Sequence, residues 1–166
     1  MKLEVFYDYA CPFCLKEHDY LLPLLPQHPE LELNWRPCEA HPRPEQYRRH
    51  SDLLARGFYI ARDQGADEMA LHDRLYRVAL VDRLDIDDPE VVATALEGLV
   101  DRAAFLQALA DGAHLDQLDE NNREAWSVHG FDAVPSLCLN GDTLRSPEGI
   151  GLTPDGIAAF LTKHSA

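Results

Sequence analysis

Two cysteines separated by two residues are the first chemically informative feature of this chain. Cys11 and Cys14 enclose Pro12 and Phe13 in the run FYDYACPFC. A CxxC pair serves as a redox-active dithiol or as half of a metal site, or it occurs without function. A zinc ion usually takes four ligands, and no second ligand pair of short spacing follows, so we expect no metal. The elements around the pair must decide between the remaining interpretations.

The residues on either side of the pair predict a strand followed by a helix. Lys2–Tyr9 is almost continuously apolar, as buried strands are, and Pro12 suits the first turn of a helix. Cys11 then lies at the junction, where unpaired N–H groups and the helix dipole favour a thiolate. Cys14, one turn later, is close enough to resolve a mixed disulfide on Cys11. The predicted apolar face of the helix comprises Phe13, Leu15, Tyr20 to Leu22, Leu24 and Leu25.

The rest of the chain predicts a long helical segment between strands. Residues 31–37 alternate as a strand, whereas residues 44–129 contain no convincing strand. The helices expected in that segment run from Pro44 to Gln64, from Asp67 to Leu84 with Met69 on its apolar face, and from Asp116 to Gly130, with Asp88 and Asp101 as N-caps. The sequence SLCLN, the turn Asn140-Gly141-Asp142 and residues 143–145 predict a hairpin, and a final helix begins near Thr153.

Composition limits the partners that the protein can have. The 166 residues include 15 Lys and Arg against 29 Asp and Glu, and the resulting net charge of −14 repels nucleic acid and anionic lipid. The N-terminal residues carry Glu4 and Asp8 where a secretory signal has its apolar region, and no stretch is apolar enough to span a membrane. We therefore expect a cytoplasmic protein, either a monomer or a small homo-oligomer, without nucleic-acid or membrane partners.

Three features in this order resemble one protein family. FYDYACPFC after the first strand, a long helical insertion, and GFDAVPSLCLNG before the hairpin resemble the DsbA-like branch of the thioredoxin superfamily, especially its cytoplasmic FrnE-like members. The resemblance implies an α/β fold with a thioredoxin-like βαβ…ββα core, residues 1–43 and 130–166. The helical insertion, residues 44–129, is expected to form one compact unit with that core. The implied activity is protein thiol–disulfide exchange without a cofactor.

The resemblance also assigns roles to residues near the two cysteines. Pro135 is expected to be a cis-proline that faces the thiols, and Val134, Pro12 and Phe13 are expected to contact substrate. Asp8 is a candidate for accepting the Cys14 proton, although it also fits a surface acid near the helix start. Phe13 replaces the histidine of strongly oxidising relatives. Partners would be protein thiols and disulfides, with glutathione as a further candidate.

Other functions remain open on the same residues. Glutathione-dependent transferases and 2-hydroxychromene-2-carboxylate isomerases share a helical insertion but typically carry serine in place of Cys11. A binding or chaperone module could also use the groove near Val134. The core topology that the resemblance implies places the first strand between the strands that carry Cys38 and Cys138. A disulfide between them would then need an implausible span, so both are expected to be reduced packing residues. Cys38 also remains a candidate for a secondary redox site.

Overall fold

The computed structural model describes residues 1–46 and 49–165 and divides the chain into two compact units. One unit joins Met1–Ala40 to Asn121–Ala166, and the other is the continuous segment His41–Glu120. The second boundary therefore falls before residue 130, within the last helix expected for the insertion. Asn121, the first residue of the second part of this unit, donates from its amide Nδ2 to the carbonyl of Pro37 over 2.9 Å. That the two units form one compact body stays a prediction.

Four strands form one mixed sheet in the first unit. The strands are Lys2–Tyr7 (β1), Glu32–Pro37 (β2), Ser136–Leu139 (β3) and Asp142–Leu144 (β4). Their order is β2-β1-β3-β4, with β1 parallel to β2 and the other neighbouring pairs antiparallel. The predicted order of strands is confirmed, and β1 ends two residues earlier than the sequence indicated.

The central strand β1 carries much of the core. Its residues Leu3, Val5 and Phe6 are completely buried. Trp35 on β2 pairs with Val5, and its ring lies 5.6 Å from the ring of His18 in the first helix. That helix therefore covers the face of the sheet to which Trp35 points.

The first helix, α1, runs from Pro12 to Leu21 and continues as a 3₁₀ segment over Leu22–Gln27. Pro23 and Pro26 explain the change, because proline cannot donate the backbone hydrogen bond that continues an α-helix. The predicted apolar face was partly wrong, since Phe13 and Leu15 are only half-buried. The face that packs on the sheet consists of Cys14, Glu17, His18 and Leu21.

The C-terminal hairpin and helix follow the prediction. Asn140 and Gly141 both adopt left-handed backbone angles, with φ of 54° and 81°, as a two-residue type I′ turn requires. The last helix, α7, spans Pro154–His164, and the Thr153 hydroxyl accepts a hydrogen bond from the Gly156 N–H at 3.1 Å. This bond caps its first turn.

The second unit contains helices, as predicted, although they are shorter. They are Asp52–Asp63 (α2), Glu68–Tyr76 (α3), Pro89–Ala95 (α4) and Arg102–Ala110 (α5), with a π-helical segment at Arg77–Val81 after α3. Asp88 and Asp101 cap α4 and α5 through their side chains, as expected. The prediction of a helix from Pro44 was wrong in its start, and Met69 is exposed. Residues 47 and 48 of that prediction lie outside the described residues.

A buried arginine links α2 to the end of α5 within the second unit. Arg56 donates from Nε to the carbonyl of Ala113 at 2.8 Å and from Nη2 to that of Leu109 at 2.7 Å. These acceptors lie at and just beyond the helix C-terminus, where carbonyls lack helical partners and positive charge is favourable. The guanidinium therefore stabilises the end of α5.

The boundary between the units falls within helix α6, Leu115–Asn122, which continues as a π-helical segment over Arg123–Val128. Gly130 follows with a φ of +60°, in agreement with the predicted end of a helical region. Within residues 1–46 and 49–165, no helix has both the length and the apolar character needed to cross a membrane.

Candidate active site

The two cysteines lie in the turn that connects β1 to α1. Cys11 occupies the N-cap position with extended backbone angles, and Pro12 is the first helical residue. The Cys11 N–H donates to the carbonyl of Asp8 at 3.0 Å, while the Cys11 carbonyl accepts from Cys14 and Leu15 N–H groups. The helix thus begins at the first thiol, as predicted.

The thiol of Cys11 is half-buried, and its pKa is lowered from the ordinary cysteine value. The largest cause is a hydrogen bond from the Cys14 side chain, assisted by the backbone N–H groups of Cys14 and Phe13. Burial and the negative charge of Asp8 oppose this lowering of the pKa. Phe13 therefore supports the thiolate through its backbone, which is a contribution that its side-chain type does not reveal.

Cys14 has the opposite environment. It is completely buried, and the desolvation that results raises its pKa well above the ordinary value. Donating its proton to Cys11 and facing the charge of Cys11 raise the pKa further. The Asp8 backbone N–H lies 3.4 Å from the Cys14 sulfur and partly offsets these effects. One helical turn therefore carries a thiol that ionises readily and a thiol that keeps its proton.

The loop before β3 brings Val134 and Pro135 to the first cysteine. The Val134–Pro135 peptide bond is cis, as the resemblance implied. Phe6 pairs with Ser136, so the start of β3 lies beside the end of β1. The sulfur of Cys11 lies 3.7 Å from the carbonyl oxygen of Val134 and donates to it while protonated.

Asp8 lies beneath the turn that contains the thiols. Its carboxylate accepts from the Ala10 N–H at Oδ1 and from the Ala40 N–H at Oδ2, each at 2.8 Å. The residue is only 4% exposed, so the alternative of a surface acid was wrong. Asp8 thus acts on Cys14 in two ways, because its N–H contacts the sulfur and its charge raises the thiol pKa.

The exposed side of the turn carries an aromatic contact. The Phe13 side chain is half-buried, and Lys16 Nζ lies 5.8 Å from the centre of its ring. A Cβ built on Gly151, which has a φ of +80°, would stand 2.9 Å from Phe13 Cδ1. Gly151 therefore allows the loop before α7 to lie against this ring. Nothing in the sequence predicts this contact between Phe13 and Gly151, which lie far apart along the chain.

Glu17 is a buried acid that the sequence analysis did not single out. It lies on the packed face of α1, three residues after Cys14, and is 1% exposed. Neither carboxylate oxygen has a hydrogen-bond partner among the described residues. Burial alone raises its pKa to about 8, so the group is mostly neutral at pH 7. Its position could have been predicted from spacing, because a residue three places after Cys14 lies on the same face of a helix.

Cys38 and Cys138 are free and buried. Strand β1 separates the two strands that position them, as expected. The Cys38 thiol donates to the Tyr7 carbonyl at 3.4 Å, and burial raises its pKa well above the ordinary value. These features are typical of a packing cysteine and give no support to a secondary redox role for Cys38.

Comparison with known families places this site in a wider context. Residues 2–148 match the family described as the DSBA-like thioredoxin domain. Comparison with curated protein sequences finds no significant match.

Solved structures agree with the family match. The chain is similar to a probable DsbA oxidoreductase from Streptomyces coelicolor, with 20% identity, a TM-score of 0.81, and coverage of 98% of this chain and 89% of that one. Pseudomonas aeruginosa DsbA gives 17% identity and a TM-score of 0.72, with 98% and 82% covered. The MdbA protein, a thiol-disulfide oxidoreductase from Actinomyces oris, gives 14% and 0.66, with 99% and 81% covered. These likenesses establish the predicted α/β, thioredoxin-like fold with a helical insertion.

Proposed function

The chain belongs to the DSBA-like thioredoxin domain family, and on that premise we propose that it exchanges protein thiols and disulfides, with Cys11 attacking and Cys14 resolving. The observation that carries the proposal is the opposite environment of the two sulfurs within one helical turn. The pKa of half-buried Cys11 is lowered, whereas the pKa of buried Cys14 is raised. Such a pair keeps one thiolate ready for attack and one thiol in reserve.

The reductive reaction proceeds in two exchanges. The Cys11 thiolate attacks one sulfur of a substrate disulfide, a Cys11–substrate bond forms, and the other substrate sulfur leaves as a thiolate that takes up a proton. Cys14 then loses its proton and attacks the Cys11 sulfur. The Cys11–Cys14 disulfide forms, and the second substrate sulfur leaves and is protonated. The two electrons that reduce the substrate come from the dithiol, and oxidation of substrates is the same sequence in reverse.

Asp8 is the proposed acceptor of the Cys14 proton. It is buried beside the pair, and its N–H contacts the Cys14 sulfur. Its two backbone donors, Ala10 and Ala40, hold the carboxylate in place. A positioned carboxylate of this kind assists proton transfer during resolution.

The proposed substrate contacts surround Cys11. The Val134 carbonyl, 3.7 Å from the attacking sulfur, lies where an extended peptide bound to Cys11 would meet a backbone acceptor. Pro12 is exposed and Phe13 half-exposed on the same turn, and they supply an apolar contact beside the sulfur. Contacts to backbone and to an apolar ring suit protein clients of varied sequence, and glutathione is small enough to use the same acceptor.

The setting that we propose is the cytoplasm, as in the FrnE-like members that the motifs resemble. Because the Phe13 side chain adds no donor to the thiolate, we expect a reduction potential between the approximately −270 mV of thioredoxin and the approximately −120 mV of DsbA. In a reducing compartment such a pair rests mainly as a dithiol and reduces or isomerises clients. Equilibration with glutathione buffers measures the potential.

Insulin reduction tests the activity directly. The wild-type protein should accelerate it, Cys11→Ser should abolish it, and Cys14→Ser should retain attack but accumulate mixed disulfides. Cys38→Ala is the matched control, because it removes a buried thiol outside the pair and should leave turnover unchanged.

Three results would refute this assignment. Cys14→Ser could turn over normally, alkylation at neutral pH could modify Cys14 before Cys11, or the wild-type protein could leave insulin oxidised. Inactivity in this assay together with glutathione transfer or isomerisation would favour the related transferase and isomerase chemistry. Client binding that is independent of Cys11 would favour a chaperone.

A further inference from the structure

A second group of chemically active side chains lies in the first unit, away from the CxxC pair. Glu4, His129 and Cys138 each offer one potential metal-ligand atom, and these three atoms lie within 4.8 Å of one another. The residues come from β1, from the position after the π-helical segment Arg123–Val128, and from β3. No short motif joins them, so the search for paired ligands along the sequence could not find this cluster.

The sheet explains why two of these residues meet. Glu4 pairs with Cys138 in the register of β1 and β3, and paired residues project from the same face of a sheet. Val5 pairs with Trp35, whose ring contacts α1 through His18. Because successive side chains alternate between faces, Glu4 and Cys138 lie on the face opposite to α1.

The carboxylate of Glu4 is already oriented. Its Oε1 accepts from Arg36 Nη2 at 2.7 Å, from Arg36 Nε at 3.0 Å and from Asn34 Nδ2 at 3.1 Å. Hydrogen bonds from the described residues reach only this oxygen, which leaves Oε2 for a ligand. Metal-binding carboxylates are commonly fixed in this way by hydrogen bonds from a second layer of residues.

The imidazole of His129 packs against neighbouring rings and lies near an acid. It stacks on Phe131 with a centroid distance of 5.0 Å and meets the edge of Phe6 at 5.4 Å. Glu124 Oε2 lies 4.0 Å from Nε2 of His129, so an acid stands near the ring, as it does beside many metal-binding histidines. The preceding π-helical segment sets the position of His129, and such segments are frequent at functional sites.

We propose that Glu4, His129 and Cys138 form a binding site for a divalent transition metal, with zinc as the preferred ion and water as the fourth ligand. Thiolate, imidazole and carboxylate are the three ligand types that zinc accepts in proteins, and three protein ligands leave one open position. Cys138 is only 6% exposed, so its sulfur is shielded from bulk solvent.

Charge and geometry are compatible with the ion. The Glu4 carboxylate and an ionised Cys138 bring two negative charges, of which Arg36 offsets one, and the cation favours the thiolate. Bonds of about 2.0 to 2.3 Å around a tetrahedral ion place ligand atoms about 3.5 Å apart. Binding would therefore bring the three atoms closer together by no more than about 1.3 Å, a change that side-chain rotations can supply.

Cobalt(II), which replaces zinc and absorbs light, provides the test. The titrated protein carries Cys11→Ser, Cys14→Ser and Cys38→Ala, so that Cys138 is its only thiol. We expect one equivalent to give a thiolate-to-cobalt charge-transfer band and intense tetrahedral d–d bands, both removed by excess zinc. Adding Cys138→Ser should abolish the charge-transfer band, and adding His129→Gln or Glu4→Gln should weaken affinity about tenfold or more.

Matched controls and a second measurement keep the test decisive. His41→Gln and Glu32→Gln replace a half-exposed histidine and an exposed glutamate outside the cluster and should leave the affinity unchanged. If the variant that keeps Cys138 as its only cysteine fails to fold, zinc competition against a chromophoric chelator is measured instead. The proteins compared are then the wild type and its Cys138→Ser and His129→Gln variants. The proposal is overturned if no stoichiometric binding occurs. It is also overturned if Cys138→Ser and His129→Gln bind the metal as tightly as the protein with the intact cluster.

Discussion

Glu17 should make the stability of this protein depend on pH in an unusual direction. The carboxyl group is 1% exposed, and neither oxygen has a hydrogen-bond partner among the described residues. Burial therefore disfavours the charged form and raises the pKa from 4.5 to about 8. Most surface acids ionise far below neutral pH, whereas this group is expected to keep its proton there.

The sign of the effect follows from proton binding. Between pH 4.5 and about 8, folded Glu17 holds a proton that the unfolded chain has released. Its contribution to stability is fully present below pH 4.5 and is lost as the pH rises through about 8. At about 1.4 kcal/mol per pKa unit, the gap corresponds to a loss of about 5 kcal/mol across this range.

Substitution of Glu17 by Gln isolates this contribution. The amide resembles the neutral acid in size and polarity but does not titrate, so the variant should match the reduced wild-type protein within about 1 kcal/mol near pH 5. Near pH 9 the Glu17→Gln variant should be more stable than the wild type by several kcal/mol. Only the wild-type protein must then bury a charged carboxylate or take up a proton on folding, and either process lowers its free energy of unfolding. Urea unfolding at several pH values measures both quantities.

A control on the same helix completes the experiment. Asp19→Asn removes an exposed acid of α1 and should leave the pH dependence close to that of the wild-type protein. Stability curves that run parallel over the whole pH range for wild type and Glu17→Gln would refute the reasoning. A constant difference between the two curves would show that Glu17 has a role in packing alone.

Three further perturbations follow from the structure. Gly151→Ala forces a Cβ against the Phe13 ring at a positive φ and should slow insulin reduction and cost about 1 to 2 kcal/mol of stability. Gly130→Ala, at positive φ in open space, is the control, and an equal loss of activity there would contradict the contact. Asp8→Asn removes a charge that raises the pKa of both thiols, so the pKa of Cys11 should fall. Ultraviolet titration of the thiolate measures this pKa, and an unchanged or higher value would contradict the prediction. Arg56→Met loses two hydrogen bonds to carbonyls and should cost about 2 to 4 kcal/mol in urea unfolding, whereas a neutral effect would show that the guanidinium adds nothing to α5.

Local signals in the sequence were sufficient for the succession of strands and helices along the chain, the caps and the site at the end of β1. The place of β1 between its two neighbours was implied by the family resemblance. Asp88, Asp101 and Thr153 were recognisable because an N-cap depends on its own side chain and the next three residues. The pair Asn140-Gly141 likewise specifies its turn locally. The division of roles between Cys11 and Cys14 followed from their order along a helix.

Features set by tertiary packing could not be predicted in the same way. The sequence places Phe13 and Leu15 on an apolar stripe, but α1 is rotated so that Cys14 and Glu17 face the sheet instead. The sequence gives no sign that Glu17 is buried, because burying a carboxyl group without a partner is costly and therefore rare. Helix α6 also continues as a π-helical segment over Arg123–Val128, and the composition of these residues does not predict that change.

The order in which the strands leave the ribosome has a consequence for how this protein matures. Leu3 pairs with Leu139, so the central strand lacks one neighbour until the residues of β3 have been synthesised. The unit His41–Glu120, in contrast, is continuous in sequence, so its helices can pack together before β3 has been made. Cys11 and Cys14 therefore stand beside an incomplete sheet until β3 is added, and their protection from premature oxidation depends on the compartment during that time.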